Sequence, residues 1–236
     1  MGFQRILARF SKEGEARFLS HHDLMRLFER ALRRAALPLR MTQGFNPHPR
    51  LAILSALPLG VEADEEPIEV ELEPPVPPDE VRERLAAQLP KGIRLRSVQA
   101  LPEGVRARVE SLDYAATLPA DRGVGPADVE RLLACQAVVV ERATPAGPRR
   151  MDLRPALEAM AVEGRRLAFR LRVAPEGTPR PTEVLDALLG RPAGSDPAIR
   201  VRRTKVNLVI PTAPRGVPTA APGPAKGSAH ATQDAH

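Results

Sequence analysis

Histidine side chains gathered in one stretch are the first candidates for chemistry. Residues 17–49, RFLSHHDLMRLFERALRRAALPLRMTQGFNPHP, hold His21, His22 and His48, three of the five histidines in the chain. Imidazole can ligate a metal or transfer a proton. His22 and His48 are therefore candidate catalytic residues of a small standalone enzyme, either a metal-independent ribonuclease or a metal-dependent hydrolase. Adjacent helical residues point about 100° apart, which disfavours an ion shared by His21 and His22. His22 with Asp23 or with His48 stays open as an alternative, and no residue is assigned as a metal ligand. A histidine that only satisfies the helix end is the alternative.

A row of arginines is predicted on the helix that follows Ser20. Ser20 is a good N-cap and Asp23 completes an approximate capping box, while Pro38 ends the helix because the residue before a proline avoids helical geometry. Apolar residues recur on one side at the helical period. The opposite side carries Arg26, Arg30, Arg33 and Arg34. A guanidinium group can hold a phosphate at two points and stack on a base. A solvated surface with one Glu29–Arg33 pair is the alternative.

The loop TQGFNPHPR, residues 42–50, is predicted to be stiff. Gly44 permits a positive φ, and the prolines on either side of His48 hold the backbone extended. Such a loop loses little entropy on binding, and it offers a ring, an amide, an imidazole and a guanidinium group. These belong to Phe45, Asn46, His48 and Arg50. The alternative is a rigid connector between two strands with Phe45 packed inward.

Together with basic residues near the end of the chain, these groups predict a groove for nucleic acid, and RNA in particular. The last predicted strand interleaves Arg202, Arg203 and Lys205 with apolar residues. A groove of this kind would contact phosphates and stack unpaired bases. The expected RNA is tRNA or rRNA.

The periodicity predicts an α+β protein made of two tandem ferredoxin-like halves. In the first half the strands are 3–10, 51–57, 68–73 and 93–100, with helices after Ser20 and around Asp79. The order β-α-β-β-α-β is that of the split βαβ plan. The second half repeats it approximately, with AVVVERA as an early strand, Thr182 as a helix cap and IRVRRTKVNLVI as the last strand. The expected domains are residues 1–102 and 108–210, and 211–236 form a disordered tail.

Two further expectations concern single positions. In IEVELE, residues 68–73, alternation places Ile68, Val70 and Leu72 inward and the glutamates outward. The acidic strand of residues 62–73, which includes Glu69 and Glu71, is then one candidate docking surface for a protein partner, and the arginine helix is the other. Cys135 lies in the apolar run RLLACQAVVV and is expected to be an inert core residue.

Charge and cysteine content exclude several classes of protein. The net charge is +6, but it is unevenly distributed. Residues 1–60 contain ten Arg and Lys and four Asp and Glu, whereas residues 61–90 contain two Arg and Lys and ten Asp and Glu. A basic first segment of this kind suits a polyanion. The single cysteine excludes an intramolecular disulfide framework and fits a reducing cytoplasm. We also expect neither a signal peptide nor a membrane span.

The run FSKEGEARFLSHHDLMRLFERALRRAALPLRMTQGFNPHPRLAILSALPLGVE resembles the start of an uncharacterised bacterial family associated with radical SAM proteins. The resemblance is most specific over residues 5–73 and returns in DLRPALEAM, TPRPTEVLDALLG and IRVRRTKVNLV. It implies an accessory, non-redox module that works with a separate cobalamin-binding radical SAM enzyme. The partner would carry the iron–sulfur cluster, S-adenosylmethionine and cobalamin, because one cysteine cannot supply the three that such a cluster needs. This chain is expected to bind no cofactor.

Overall fold

The computed structural model describes residues 2–119, 123–144, 147–174, 177–190, 192, 196 and 198–212. Within them the chain forms one eight-stranded sheet, four α-helices and a separate two-stranded hairpin. The predicted α+β class is therefore confirmed. No helix in the described part of the chain is both long and apolar enough to cross a membrane. Of the predicted tail, residues 213–236 lie outside the described residues.

The first six elements occupy residues 4–100. They are β1 (Gln4–Lys12), α1 (His21–Arg34), β2 (Leu51–Ile53), β3 (Glu62–Leu72), α2 (Pro78–Ala86) and β4 (Ile93–Ala100). The remaining elements are β5 (Arg108–Thr117), α3 (Pro126–Ala134), β6 (Val139–Thr144), β7 (Gly147–Asp152), β8 (Leu157–Glu163), β9 (Arg166–Arg172), α4 (Pro181–Leu189) and β10 (Arg200–Val209).

Strand pairing divides the sheet into two similar groups. The first group has the order β4-β1-β3-β2 and the second has the order β10-β5-β9-β8, with antiparallel neighbours throughout. A short parallel ladder between β10 and β3, at Arg202–Glu62 and Arg203–Ala63, joins them into one sheet. Reading the groups as two tandem ferredoxin-like halves, with domain limits at 1–102 and 108–210, stays an interpretation of this order.

The start of α1 follows from its cap. The Ser20 hydroxyl accepts a hydrogen bond from the Asp23 amide at 3.2 Å, which satisfies one of the free N–H groups of the first turn. The helix ends at Arg34, one turn before Pro38. Its apolar side packs on β1, where the rings of Phe28 and Phe10 lie 4.6 Å apart.

All four helices cover the same face of the sheet. On β1, Ile6, Ala8 and Phe10 contact the helix layer, so by alternation Arg5, Leu7 and Arg9 point to the other face. We call this other side the open face. The apolar sides of α3 and α4 pack in one cluster with β5, β9 and β10, so the helix layer continues across the second group of strands.

A linker, residues 101–107, crosses the open face between β4 and β5. Val105 accepts a hydrogen bond from Arg5 Nη1 at 2.6 Å, and the Ala107 amide donates to Glu69 Oε1 at 2.9 Å. The linker therefore covers the outward side of β3. Glu69 and Glu71 point outward as expected, but they are only 7% and 5% exposed. The prediction that they form an exposed acidic docking surface is wrong for this reason.

The second group of strands corrects several details of the sequence analysis. The segment AVVVERA contributes β6, but β6 pairs only with β7, outside the main sheet. The strand that joins the sheet after α3 is β8. The helix α4 begins at Pro181 with Arg180 as its N-cap, so Thr182 is not the cap. Cys135 is exposed at the end of α3, and its assignment to the core is wrong.

Arg203 and Glu66 form a buried ion pair where the two groups of strands meet. Arg203 is 0% and Glu66 is 1% exposed, and Arg203 Nε donates to Glu66 Oε1 at 2.7 Å. The guanidinium group also donates to the carbonyl oxygens of Ser55 and Ala56. A buried charge is costly unless it is paired in this way. The pair therefore holds β10, β3 and the segment after β2 together.

Removing one partner should test that conclusion. We expect Glu66→Gln to lower the free energy of unfolding by about 3–5 kcal/mol, because it leaves a buried guanidinium group without its carboxylate. Glu158→Gln is the matched control, since its partner Arg172 is well exposed, and it should cost less than about 1 kcal/mol. Urea denaturation of both variants measures the difference. An equal loss of unfolding free energy in the two variants would show that the Arg203–Glu66 pair does not stabilise the fold more than a surface ion pair does.

Candidate nucleic-acid interface

The predicted stiff loop is the end of a hairpin, residues 40–50, which projects from the end of β3. Its base is tied to the sheet, because the Arg40 amide donates to the Glu71 carbonyl and the Arg50 amide to the Arg40 carbonyl, both at 2.9 Å. Nearer the tip, the Thr42 amide donates to the His48 carbonyl at 2.8 Å. The His48 amide in turn donates to the Thr42 hydroxyl at 2.9 Å. These bonds explain how a segment without a core of its own keeps one shape.

The tip of this hairpin presents its ring and polar groups to solvent. Phe45 has a relative exposure of 105%, so its ring makes no use of the hydrophobic core. Asn46 and His48 are also exposed. The sequence left open whether Phe45 points to solvent or packs inward, and in the structure it points to solvent.

The base of the hairpin faces the open side of the sheet. Because alternate residues of an extended strand share a side, His48 and Arg50 project to the same side of the hairpin. Arg50 pairs in register with Glu71 through the Glu71 amide, which donates to the Arg50 carbonyl at 3.0 Å. Phe3 packs here beneath Arg40, whose guanidinium carbon lies 3.9 Å from the ring centre.

Glu71 is the carboxylate around which four arginines gather. Its Oε1 accepts from Arg5 Nη2 at 2.6 Å and its Oε2 from Arg40 Nη1 at 3.1 Å. Arg50 and Arg106 approach only to 3.7 Å, which is too long for a hydrogen bond. Each oxygen therefore has one hydrogen-bonded arginine, and two further guanidinium groups lie within ion-pair distance without a hydrogen bond.

The arginines of α1 lie on the other side of the sheet. Arg26 and Arg30 point to solvent above the helix layer, and no carboxylate within the described residues forms an ion pair with them. Arg33 is paired with Glu29 at 3.0 Å, as the alternative reading expected. Arg34 donates to the Gln88 carbonyl at 2.8 Å and thereby ties α1 to the end of α2.

The basic residues of β10 have three different environments. Arg203 is buried and has no surface to offer a ligand. Arg202 bonds Asp64 at 2.6 Å and lies 2.5 Å from Glu62, so its charge is neutralised. Lys205 is exposed and lines a cavity of about 530 Å³ on the open face, together with Arg9 and Arg170.

Glu110 and Glu158 also line this cavity, and its Arg170 is held by Asp113, a residue of β5 next to the cavity. Its partial burial would raise the pKa of the Asp113 carboxyl, but hydrogen bonds from Arg170 and Asn207 outweigh burial and hold the pKa below its usual value. Arg170 Nε donates to Asp113 Oδ1 at 2.6 Å. The Asp113 carboxylate is thus hydrogen-bonded by Arg170, and the exposed Lys205 side chain lies near it without an ion pair in the described part of the chain.

The single groove predicted from the sequence therefore divides into two surfaces. One is the row on α1. The other combines the hairpin with the open face, where Arg5 and Arg9 lie on either side of Leu7 on β1, about 13 Å apart. Arg5 borders the base of the hairpin and Arg9 borders the cavity of Lys205. The sheet and its helices separate the two surfaces.

The two candidate catalytic histidines are not brought together. His22 lies in the first turn of α1 and His48 lies beyond the other end, so the helix alone separates them by about 18 Å. The His21 and His22 rings are neighbours, 6.0 Å apart and edge-on. Throughout the described ranges, no group of three or more His, Cys, Asp or Glu could hold a metal ion.

Sequence reasoning missed Arg5 and Arg106. The alternation of β1 already placed Arg5 and Arg9 on one face, but the mixed character of that face left its orientation open. Arg106 lies in the linker, whose path over the open face depends on contacts such as that of Ala107 with Glu69, 38 residues apart. Local periodicity contains no signal for a contact of that kind.

A model of a bacterial family, described as an uncharacterized protein conserved in bacteria (DUF2344), matches residues 5–188. Among solved structures, an unknown protein from Galdieria sulphuraria is similar over 89% of this chain and 100% of its own, with 13% identity and a TM-score of 0.28. No curated protein matches the chain. A likeness as small as that TM-score carries no argument about the site.

The network around Glu71 generates a stability prediction. We expect Glu71→Gln to cost about 3 kcal/mol or more, because it weakens two charged hydrogen bonds and leaves the buried Arg5 with a poorer partner. Glu73→Gln should cost less than about 1 kcal/mol, since Glu73 is 44% exposed and lies 3.4 Å from Arg40 only. Urea denaturation measures the free energy of unfolding of both variants. If Glu71→Gln lowers it no more than Glu73→Gln does, the Glu71 network does not stabilise the fold as proposed.

Proposed function

The chain belongs to the bacterial family of uncharacterized proteins DUF2344, and we propose that it is an accessory, non-redox module that binds RNA for a separate cobalamin-binding radical SAM enzyme. In this proposal the hairpin and the open face contact the RNA. The partner supplies the iron–sulfur cluster, S-adenosylmethionine and cobalamin, and the present chain positions the substrate.

The observation that carries the proposal is the exposure of Phe45. A phenylalanine that is 105% exposed gives no stability to the fold, yet it lies at the end of a hairpin fixed by five backbone and side-chain hydrogen bonds. An exposed ring at the end of a hairpin that is held together as far as Thr42 and His48 is suited to stacking on an unpaired base, which every base permits because each has a flat face. His48 and Asn46 beside it offer hydrogen bonds to base edges.

Charge on the same side supports contact with a polyanion. Arg50 and Arg106 exceed what Glu71 can satisfy, and Lys205 faces solvent farther along the open face. Phosphate contacts by such cations supply most of the affinity in non-specific binding. A strand of RNA stacked on Phe45 would run over these three residues towards the cavity beside Arg170.

The row on α1 is then available to the partner protein. The burial of Glu69 and Glu71 makes the acidic strand, the other docking candidate, the weaker of the two. Arg26 and Arg30 are exposed and lack an ion-pair partner among the described residues. Because α1 and the open face are on opposite sides of the sheet, a partner on α1 leaves the RNA surface free.

RNA binding can be tested by filter retention of tRNA and of rRNA fragments over a series of salt concentrations. Wild type should retain RNA with an affinity that falls steeply with salt, and Arg50→Glu with Lys205→Glu should make that dependence shallower. Phe45→Ala should weaken binding by about 1–3 kcal/mol, since it removes a stacking platform. Loss of RNA stability in the presence of wild type but not of His22→Ala would favour the ribonuclease alternative.

Two controls make this test specific. Phe18→Ala removes another exposed ring, 52% accessible and stacked on Arg17, and should leave retention unchanged. Arg26→Glu with Arg30→Glu reverses two charges on the opposite side and should also leave it unchanged. Retention that ignores salt, or that falls equally in all four variants, would remove the RNA proposal.

The partner is tested separately by co-purification with a cobalamin-binding radical SAM protein encoded beside this chain. Arg26→Glu with Arg30→Glu should abolish co-purification, because the docking surface loses its charge. Arg82→Glu with Lys91→Glu, exposed positions at α2 and the turn after it, is the matched control and should behave as wild type. If the control pair disrupts the complex as much as the α1 pair, α1 is not the docking surface.

A further inference from the structure

A small cavity at the base of the hairpin has the charge and the size for one anionic group. It measures about 180 Å³, and its basic lining residues are Arg5, Arg50 and Arg106. Glu69 and Glu71 also line it, so its character depends on how far these carboxylates are already neutralised.

The arginines at this site outnumber the carboxylates that pair with them. Arg5 spans Glu69 and Glu71, and Arg40 binds Glu71 and lies 3.4 Å from Glu73. Four arginines therefore face two buried carboxylates, or three when the half-exposed Glu73 is included. The site keeps one or two positive charges, and these belong to Arg50 and Arg106.

A second observation is an unused hydrogen-bond donor, Arg50 Nε, which lies 3.7 Å from Glu71 Oε2 and is not hydrogen-bonded to it. Arg50 Nε is one of only two buried side-chain nitrogen or oxygen atoms in the described part of the chain that lack a hydrogen-bond partner. Leaving such a donor unpaired costs about 1–3 kcal/mol. An unsatisfied buried donor calls for an explanation, and one is an ion or other group that occupies the site.

We propose that this cavity binds a single phosphate group, held between Arg50 and Arg106 above the Arg5–Glu71 pair. Two guanidinium groups can each offer paired N–H donors to different oxygens of a tetrahedral phosphate. The inference rests on the proposed function in one respect, since RNA is the source of that phosphate. The cavity lies within about 17 Å of Phe45 along the hairpin, so one bound strand could reach both.

The direct probe is inorganic phosphate, titrated into wild type by calorimetry at constant chloride. Arg50→Ala and Arg106→Ala should each weaken phosphate binding by about tenfold or more, because each removes a charged hydrogen-bond donor. Arg108→Ala is the matched control, since Arg108 is exposed two residues along the chain from Arg106, and it should bind phosphate as wild type does. Thermal melting checks that all the variants fold.

RNA then distinguishes the two sources of phosphate. An oligonucleotide with a 5′-phosphate and the same oligonucleotide with a 5′-hydroxyl are retained by wild type and by Arg106→Ala. If the cavity takes a terminal phosphate, only the phosphorylated oligonucleotide loses affinity in the variant. If it takes a backbone phosphate, both lose affinity equally. Either result supports the site.

Failure of this site can be told apart from failure of RNA binding. Phosphate binding that is the same in wild type, Arg50→Ala and Arg106→Ala would overturn the phosphate site, even if RNA retention still depends on Phe45. Phosphate binding that requires both arginines would uphold the site, even if wild type retains no RNA, and the RNA proposal alone would then fall.

Discussion

The carboxylate of Glu71 decides which arginines of this protein are structural and which are available. It is buried beneath the linker, and each of its oxygens accepts one hydrogen bond, at 2.6 Å from Arg5 and at 3.1 Å from Arg40. A buried carboxylate is stable only when it is paired in this way. Once those two donors are in place, further arginines can approach the site only at a longer distance. Arg5 and Arg40 are therefore hydrogen-bonded to Glu71, whereas Arg50 and Arg106 are not.

The same principle explains why counting arginines was a poor guide to the binding surface. Arg203 counts as basic in the sequence, but it is buried and forms an ion pair with Glu66. Arg202 forms ion pairs with two acidic residues of β3, Asp64 and Glu62. Lys205, two residues along the same strand from Arg203, faces solvent. The charge that a partner can reach is therefore what remains after the internal carboxylates have been satisfied.

Local features of the fold could be predicted from the sequence, and long-range ones could not. The Ser20 cap, the apolar side of α1 and the alternation of β1 depend on neighbours within a few residues, and all three match the structure. The burial of Glu69 depends on a contact with the linker, 38 residues away in the sequence. The strand β6 lies outside the main sheet because it pairs with β7 and not with a central strand. The hairpin is an intermediate case. Its stiffness and its candidate binding residues were predicted, but the sequence left open whether Phe45 packs inward or points to solvent.

The place of β10 in the middle of the sheet has a consequence for how the chain folds. This strand comes from residues 200–209, yet it pairs with β3 on one side and β5 on the other. Loops of such length close slowly, because the entropy of bringing distant segments together is lost before their contacts form. While the chain is being synthesised, β3 and β5 each present an unpaired edge that could join another molecule. The nascent protein is thus most vulnerable to misassembly until its last strand has left the ribosome, and a truncation within β10 would extend that vulnerable state indefinitely.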